Sequence, residues 1–188
     1  MNINSYILSR RITSKTHYII KNYFSIKATA NQGRHYENEL YKKLIDIFGY
    51  SNVMREKTIS DFLHSFYPLI PKTHLKGIDF IINTTNNNTK TLFVIQLKIG
   101  AKKRTIEHVK PFIRTLDVLK NISDTNNNNY YQSKIIPFWL SSAPIHNDAL
   151  NLLKNNYINC FITPSWSINL NNCLLYNGFI DKIKKLKN

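Results

Sequence analysis

The stretch "LKGIDFIINTTNNNTKTLFVIQLKIG", residues 75–100, decides how this chain is read. Its ends, "GIDF" and "IQLK", are apolar and β-branched, and a polar, asparagine-rich middle separates them. That pattern predicts a β-hairpin with a strand over 77–83, a loop over 84–90 and a second strand over 91–98. With Asn87 and Asn88 at the tip, Asp79 falls opposite Gln96. Side chains alternate along a strand, so Gln96 and Lys98 share a face. Cross-strand pairing puts Asp79 on that same face, while Phe80, Ile95 and Leu97 turn the other way into a core.

Polar groups inside an apolar hairpin need a reason, because a buried acid is costly unless it is paired or binds a metal. Two accounts fit. Asp79 and Lys98 form an ion pair at the sheet edge, or they belong to a phosphodiesterase site. In the second account Asp79 offers carboxylate oxygen to a hard divalent cation. Lys98 then orients or deprotonates a water, or stabilises developing charge. The metal bridges water and phosphate as a Lewis acid.

Outward from the hairpin, a helix is expected over 33–48. Tyr36, Leu40, Leu44 and Phe48 recur every four residues, and Gly49 is a natural stop. Glu37 sits one position from that apolar stripe and brings a further carboxylate to the site. Residues 50–74 read as a short strand and an irregular connection ending in prolines. "AKKRTIEHVKPFIRTLDVLKNI" predicts a helix over 105–120, with Pro111 able to kink it. A low-complexity loop over 123–132 follows. "KIIPFWLSS" is a short buried strand weakened by Pro137, "HNDALNLLKNN" a helix and "YINCFIT" a strand. The basic end, 171–188, is a surface helix or a frayed tail. This order is that of an α/β domain, a mixed sheet flanked by helices.

Composition narrows the function. In 188 residues, 26 Lys and Arg face 11 Asp and Glu, a formal charge of +15 that suits a polyanionic partner, above all nucleic acid. The chain is also rich in Asn, Ile, Lys and Tyr, as AT-rich coding would make it. That bias would raise glutamate too, yet only four glutamates are present. Cys160 and Cys173 form no C-x-x-C pair, and the six histidines are scattered, so neither a disulfide framework nor a zinc site is expected. No run approaches the ~18 apolar residues of a membrane span. Residues 1–30 hold Arg10, Arg11, Lys15, Lys21 and Lys27 among Ser, Thr and apolar residues, with no acid before Glu37. That is the profile of a mitochondrial transit segment, the other account being a basic arm that touches nucleic acid.

Lys102, Lys103 and Arg104 follow the hairpin directly, and Lys110 and Arg114 share a face of the next helix. All five are candidate phosphate contacts, although a solvated helix face explains the last two equally well. Tyr130, Tyr131 and Trp139 suit packing better than base stacking. Ser141 and Ser142 have no base or acid patterned near them, which argues against a serine hydrolase.

Glu37, then "GID" with Asp79, then "QLK" with Gln96 and Lys98, resemble the PD-(D/E)XK nucleases in the variant with glutamine at the second position, as in Mrr-type enzymes. The likeness extends further. "NQGRHYENEL" resembles the Q-G-x-x-Y-E opening of the fungal mitochondrial family called required for respiratory growth protein 7. "GID" and "VIQLK" fit that family's central motifs, and "LSSAPIHNDALNLL" its S-x-P…D-x-L-N-L segment. The resemblance spans about residues 31–165.

It implies a restriction-endonuclease-like core over 31–165, behind a transit peptide over 1–30 and ahead of a C-terminal extension over 166–188. It also implies a mitochondrial protein needed for respiratory growth. The implied site is Asp79, Gln96, Lys98 and Glu37, with Mg2+ or Mn2+ held by Asp79, Glu37 and Gln96. The expected substrate is mitochondrial nucleic acid, DNA before RNA. Homodimers are frequent among such nucleases. The chain departs from the family in its short loop between the hairpin strands and in the single glycine before "ID". Gln96 is a neutral and weaker magnesium ligand than a second carboxylate, which gives Glu37 more weight. It also keeps open a non-catalytic nucleic-acid-binding factor on the same scaffold.

Overall fold

The computed structural model describes residues 30–55, 57–66, 77–86, 89–100, 102–125, 133–162 and 174–187. The expected transit segment, up to residue 29, lies outside the described residues, as do Tyr130 and Tyr131. Among the described residues the elements follow in the order α1 (Ala30–Phe48), a 3-10 turn (Tyr50–Asn52), β1 (Val53–Arg55), α2 (Lys57–Phe66), β2 (Phe80–Asn86), β3 (Thr89–Lys98), α3 (Ile106–Thr125), β4 (Ser133–Ser141), α4 (Asn147–Asn155), β5 (Asn159–Ile162) and α5 (Leu174–Lys187).

The strands form one mixed sheet in the order β1-β2-β3-β4-β5. β1, β2 and β3 pair antiparallel, whereas β3–β4 and β4–β5 pair parallel. Alternation sorts the strand side chains between two apolar layers. Val53, Phe80, Ile82, Phe93, Ile95, Leu97, Phe138 and Leu140 pack with Leu40, Leu44 and Phe48 of α1 and with Phe179 and Ile183 of α5. Met54, Ile81, Leu92, Val94 and Trp139 pack on the other face with α2, α3 and α4. The result is a three-layer α/β/α sandwich. The C-terminal residues add α5 to the first layer, where Phe179 meets Phe138 edge to face at 5.1 Å.

Three expectations change. The hairpin's ladder runs to its tip, with Asn86 paired to Thr89, so the loop is shorter than 84–90. Thr84, Thr85, Thr89 and Thr91 are β-branched and suit a ladder despite their polarity. Within 50–74, β1 is found, but the connection contains α2 where irregular chain was expected. Ile59 and Leu63, one turn apart, bury its inner face, and the Thr58 hydroxyl closes the turn into it on the Arg55 carbonyl at 2.6 Å. Prolines 68 and 71 follow this helix in sequence and fall outside it. Finally, β4 is a full nine-residue strand despite Pro137. Pro137's carbonyl accepts from Asn159 on the β5 side, so its missing N–H faces that side too. β5 pairs only from Phe138 onward, and no ladder bond is lost.

Candidate functional site

The site builds up at one end of the sheet, where β3 and β4 finish and β2 begins. The observed register keeps Phe80 opposite Ile95, which sets Asp79 opposite Gln96. The Asp79 N–H continues the ladder, donating to the Ile95 carbonyl at 2.9 Å. Phe80, Ile95 and Leu97 point into the α1 layer. Gln96 turns toward α3 and is only 1% exposed.

Gly77 makes this turn possible. Its φ of +89° lies in the left-handed region, and a Cβ there would meet the Phe112 backbone nitrogen at 3.1 Å and Gln96 Oε1 at 3.2 Å. The glycine lets the chain entering β2 press against α3, and that approach aims Asp79 at the hairpin's second strand.

Asp79 Oδ2 accepts the Leu97 N–H at 2.6 Å and a hydrogen bond from Gln96 Nε2. Gln96 Nε2 also reaches the Leu97 carbonyl at 3.2 Å. Gln96 Oε1 is buried and has no hydrogen-bond partner among the described residues. Burial pushes the Asp79 carboxyl above its ordinary value, although Lys98, the Leu97 N–H and Gln96 pull it back in part. Burial likewise pulls the Lys98 ammonium below its ordinary value. Asp79 and Glu37 oppose that shift, and Arg104 adds to it. Lys98 therefore lies within electrostatic reach of both carboxylates.

Glu37 arrives from the opposite layer, on α1, and meets Asp79 at the strand end. Glu37, Arg55, Ile78, Asp79 and Phe80 line one cleft of about 50 Å³. Its lining offers carboxylate oxygens to a cation and guanidinium N–H groups to an anion.

The loops leaving β3 and β4 are stitched together beside the site. The Ser142 N–H donates to the Lys98 carbonyl at 3.0 Å, and the Gly100 N–H donates to Ser142 Oγ at 3.0 Å. The Arg104 N–H donates to the Pro144 carbonyl, and the His146 N–H to the Arg104 carbonyl, both at 2.8 Å. Ser141 and Ser142 are thus structural, and Trp139 is core, as the sequence suggests.

The expected phosphate contacts divide. Lys102 and Lys103 are exposed next to the site. Arg104 is half-buried, and its Nη2 donates to the Ile99 carbonyl at 2.7 Å, so part of its fork is spent inside the protein. Lys110 pairs with Glu107 at 2.7 Å on the exposed face of α3 that also carries Arg114. Among the described residues no three His, Cys, Asp or Glu gather as a metal-binding group. No described helix is long and apolar enough to cross a membrane.

Two neighbours escaped the sequence reading. Arg55 lines the cleft with Glu37 and Asp79. His108 caps α3: its Nδ1 accepts the Thr105 N–H at 3.2 Å and lies 2.9 Å from Thr105 Oγ1. Burial, followed by Arg104, Lys102 and Lys98, lowers its pKa. The T-x-x-H spacing before an apolar run is the only sequence signal for it.

Compared with protein-family models, curated proteins and solved structures, the chain matches none.

Proposed function

We propose that this protein is a metal-dependent nuclease that hydrolyses phosphodiester bonds in nucleic acid. The observation that carries the reading is the convergence of Asp79, Gln96 and Lys98 on one face of a buried hairpin, with Glu37 across the cleft. Such shifts of a carboxyl and an amine, both set by burial, cluster at reactive sites.

The donor set suits magnesium or manganese, since every available atom is a hard oxygen. Asp79 Oδ2, the Leu97 carbonyl and the Gln96 amide already meet. Turning that amide over exchanges its nitrogen for the oxygen that now lacks a partner. Asp79, Gln96 through Oε1, the Leu97 carbonyl and Glu37 would hold the cation, with water completing its shell. When bound, it would supply Lewis-acid polarisation of the phosphate.

The chain's own residues do the rest. A lowered pKa raises the neutral fraction of Lys98, which can take a proton from the attacking water. In its charged form the same amine stabilises the extra negative charge as the water oxygen bonds phosphorus and the P–O bond to the leaving oxygen breaks. The excess of basic residues favours a polyanionic substrate. The resemblance to the respiratory growth family and the acid-free first thirty residues both favour a mitochondrial location. A homodimer is compatible with this reading, and no feature described here requires one.

A second reading has one observation in its favour. Gln96 donates to Asp79, so the carboxylate has a partner without any cation, as suits a nuclease-derived factor that binds nucleic acid without cutting it. Plasmid, single-stranded DNA and RNA incubated with the full chain in magnesium, manganese or chelator separate the two. A nuclease cuts only with metal and loses cutting in Lys98→Ala. Binding that ignores metal, with no nicking in any arm, removes the enzymatic reading.

A further inference from the structure

We propose that Arg55 is a second phosphate-binding cation of the cleft, gripping the nucleic-acid backbone on the side away from Lys98. The inference rests on the nucleic-acid reading above, though not on cleavage. Arg55 ends β1, its Cα paired with that of Phe80, the residue after Asp79. Arg55 lines the same cleft as Glu37 and Asp79.

The guanidinium is held from two sides. Nη1 donates to Asn38 Oδ1 at 2.7 Å, and the charged carbon lies 4.2 Å from the centre of the Tyr41 ring. The backbone is fixed as well, its N–H donating to Thr58 Oγ1 at 2.9 Å and its carbonyl accepting that hydroxyl. An amide oxygen and an aromatic face orient the cation without themselves cancelling its charge, and Glu37 and Asp79 share the cleft with it. Arginine carries five N–H donors in a planar fork, and Asn38 occupies one side of it. The remainder suits two oxygens of one phosphate. The group of a polynucleotide that matches a planar guanidinium fork is the backbone phosphate.

The alternative is that Arg55 only ties α1 to β1. Fluorescence anisotropy of a short labelled DNA duplex, in chelator and over a range of salt, distinguishes the two. Arg55→Met keeps the apolar stem and removes the fork. It should weaken binding about tenfold and lower the salt slope by about one. Lys154→Met, on exposed α4 at the other edge of the sheet, serves as the control and should change binding by less than about twofold. Arg55→Lys should keep the wild-type slope but lose part of the affinity, and it replaces the methionine variant if thermal melting shows that variant unfolded.

Arg55→Met binding like the control, or weaker binding with an unchanged salt slope, overturns the proposal. A wild-type protein that cuts DNA while Arg55→Met binds normally removes Arg55 alone. A wild-type protein that binds without cutting, and weakens as expected in Arg55→Met, removes hydrolysis and leaves Arg55 in place. No wild-type binding at all removes both.

Discussion

Two groups of polar side chains, buried or half-buried, lie close to each other at the end of this sheet, and they are built on opposite terms. In one, Ser141 Oγ donates to the Ala143 carbonyl, Ser142 Oγ takes the Gly100 N–H, and each group has its partner. In the other, Gln96 keeps an orphaned oxygen, Asp79 is pushed toward its neutral form and Lys98 toward its own. A satisfied polar group stabilises the fold, whereas an unsatisfied one is tolerated at a cost in stability. The serines fasten the end of the sheet, and on the proposed reading the hairpin triad carries the chemistry.

The sharpest way to break this contrast is Lys98→Met. We expect metal-dependent cleavage to fall by about 10²- to 10⁴-fold while the far-ultraviolet dichroism and DNA binding stay close to wild type. Cleavage within twofold of wild type would take Lys98 out of the mechanism.

Gly77→Ala attacks the common support of both groups. The positive φ and the contact with the Phe112 backbone make a cost of about 1–3 kcal/mol the expected result, read from urea unfolding. A neutral outcome would mean that the chain before β2 does not need its close approach to α3.

The next pair sharpens the comparison directly. Ser142→Ala should cost about 1–3 kcal/mol, because it orphans the buried Gly100 N–H. Gln96→Met should cost less than about 1 kcal/mol, because it also removes an oxygen that has no partner. If glutamine proves the more costly of the two, the distinction between fastening and chemistry fails.

The smallest effect is a pH dependence. The folded-state pKa of Asp79 lies above its unfolded value of about 3.9. Its contribution to stability is therefore complete below that value and is lost as pH rises through the raised pKa. Asp79→Asn should flatten that part of the profile of urea midpoint against pH. An unchanged profile would show that the carboxyl is not desolvated in solution.

The hairpin was legible in the sequence because period-two alternation and an asparagine tip fix its register to the residue, and register alone brings Asp79 to Gln96. Glu37 was legible only as a position beside an apolar stripe, and its approach to the cleft depends on how α1 crosses the sheet. α2 was obscured because ten residues leave few repeats to count and prolines follow soon after. Arg55 was hidden for a different reason. Its orienting partner, Asn38, lies 17 residues away on another element, so no local pattern marks it. For the basic residues the reverse holds: local charge is easy to see, while the turn of Arg104 onto the Ile99 carbonyl is a tertiary fact.

The Ser142 N–H grips the carbonyl of Lys98, not its amine. The tether that locates the lysine thus passes through main chain that any residue at position 98 would provide. A descendant of this protein could exchange the amine for an inert side chain and inherit the architecture undisturbed. Kinship in shape and retention of reactivity can then part company in a single substitution.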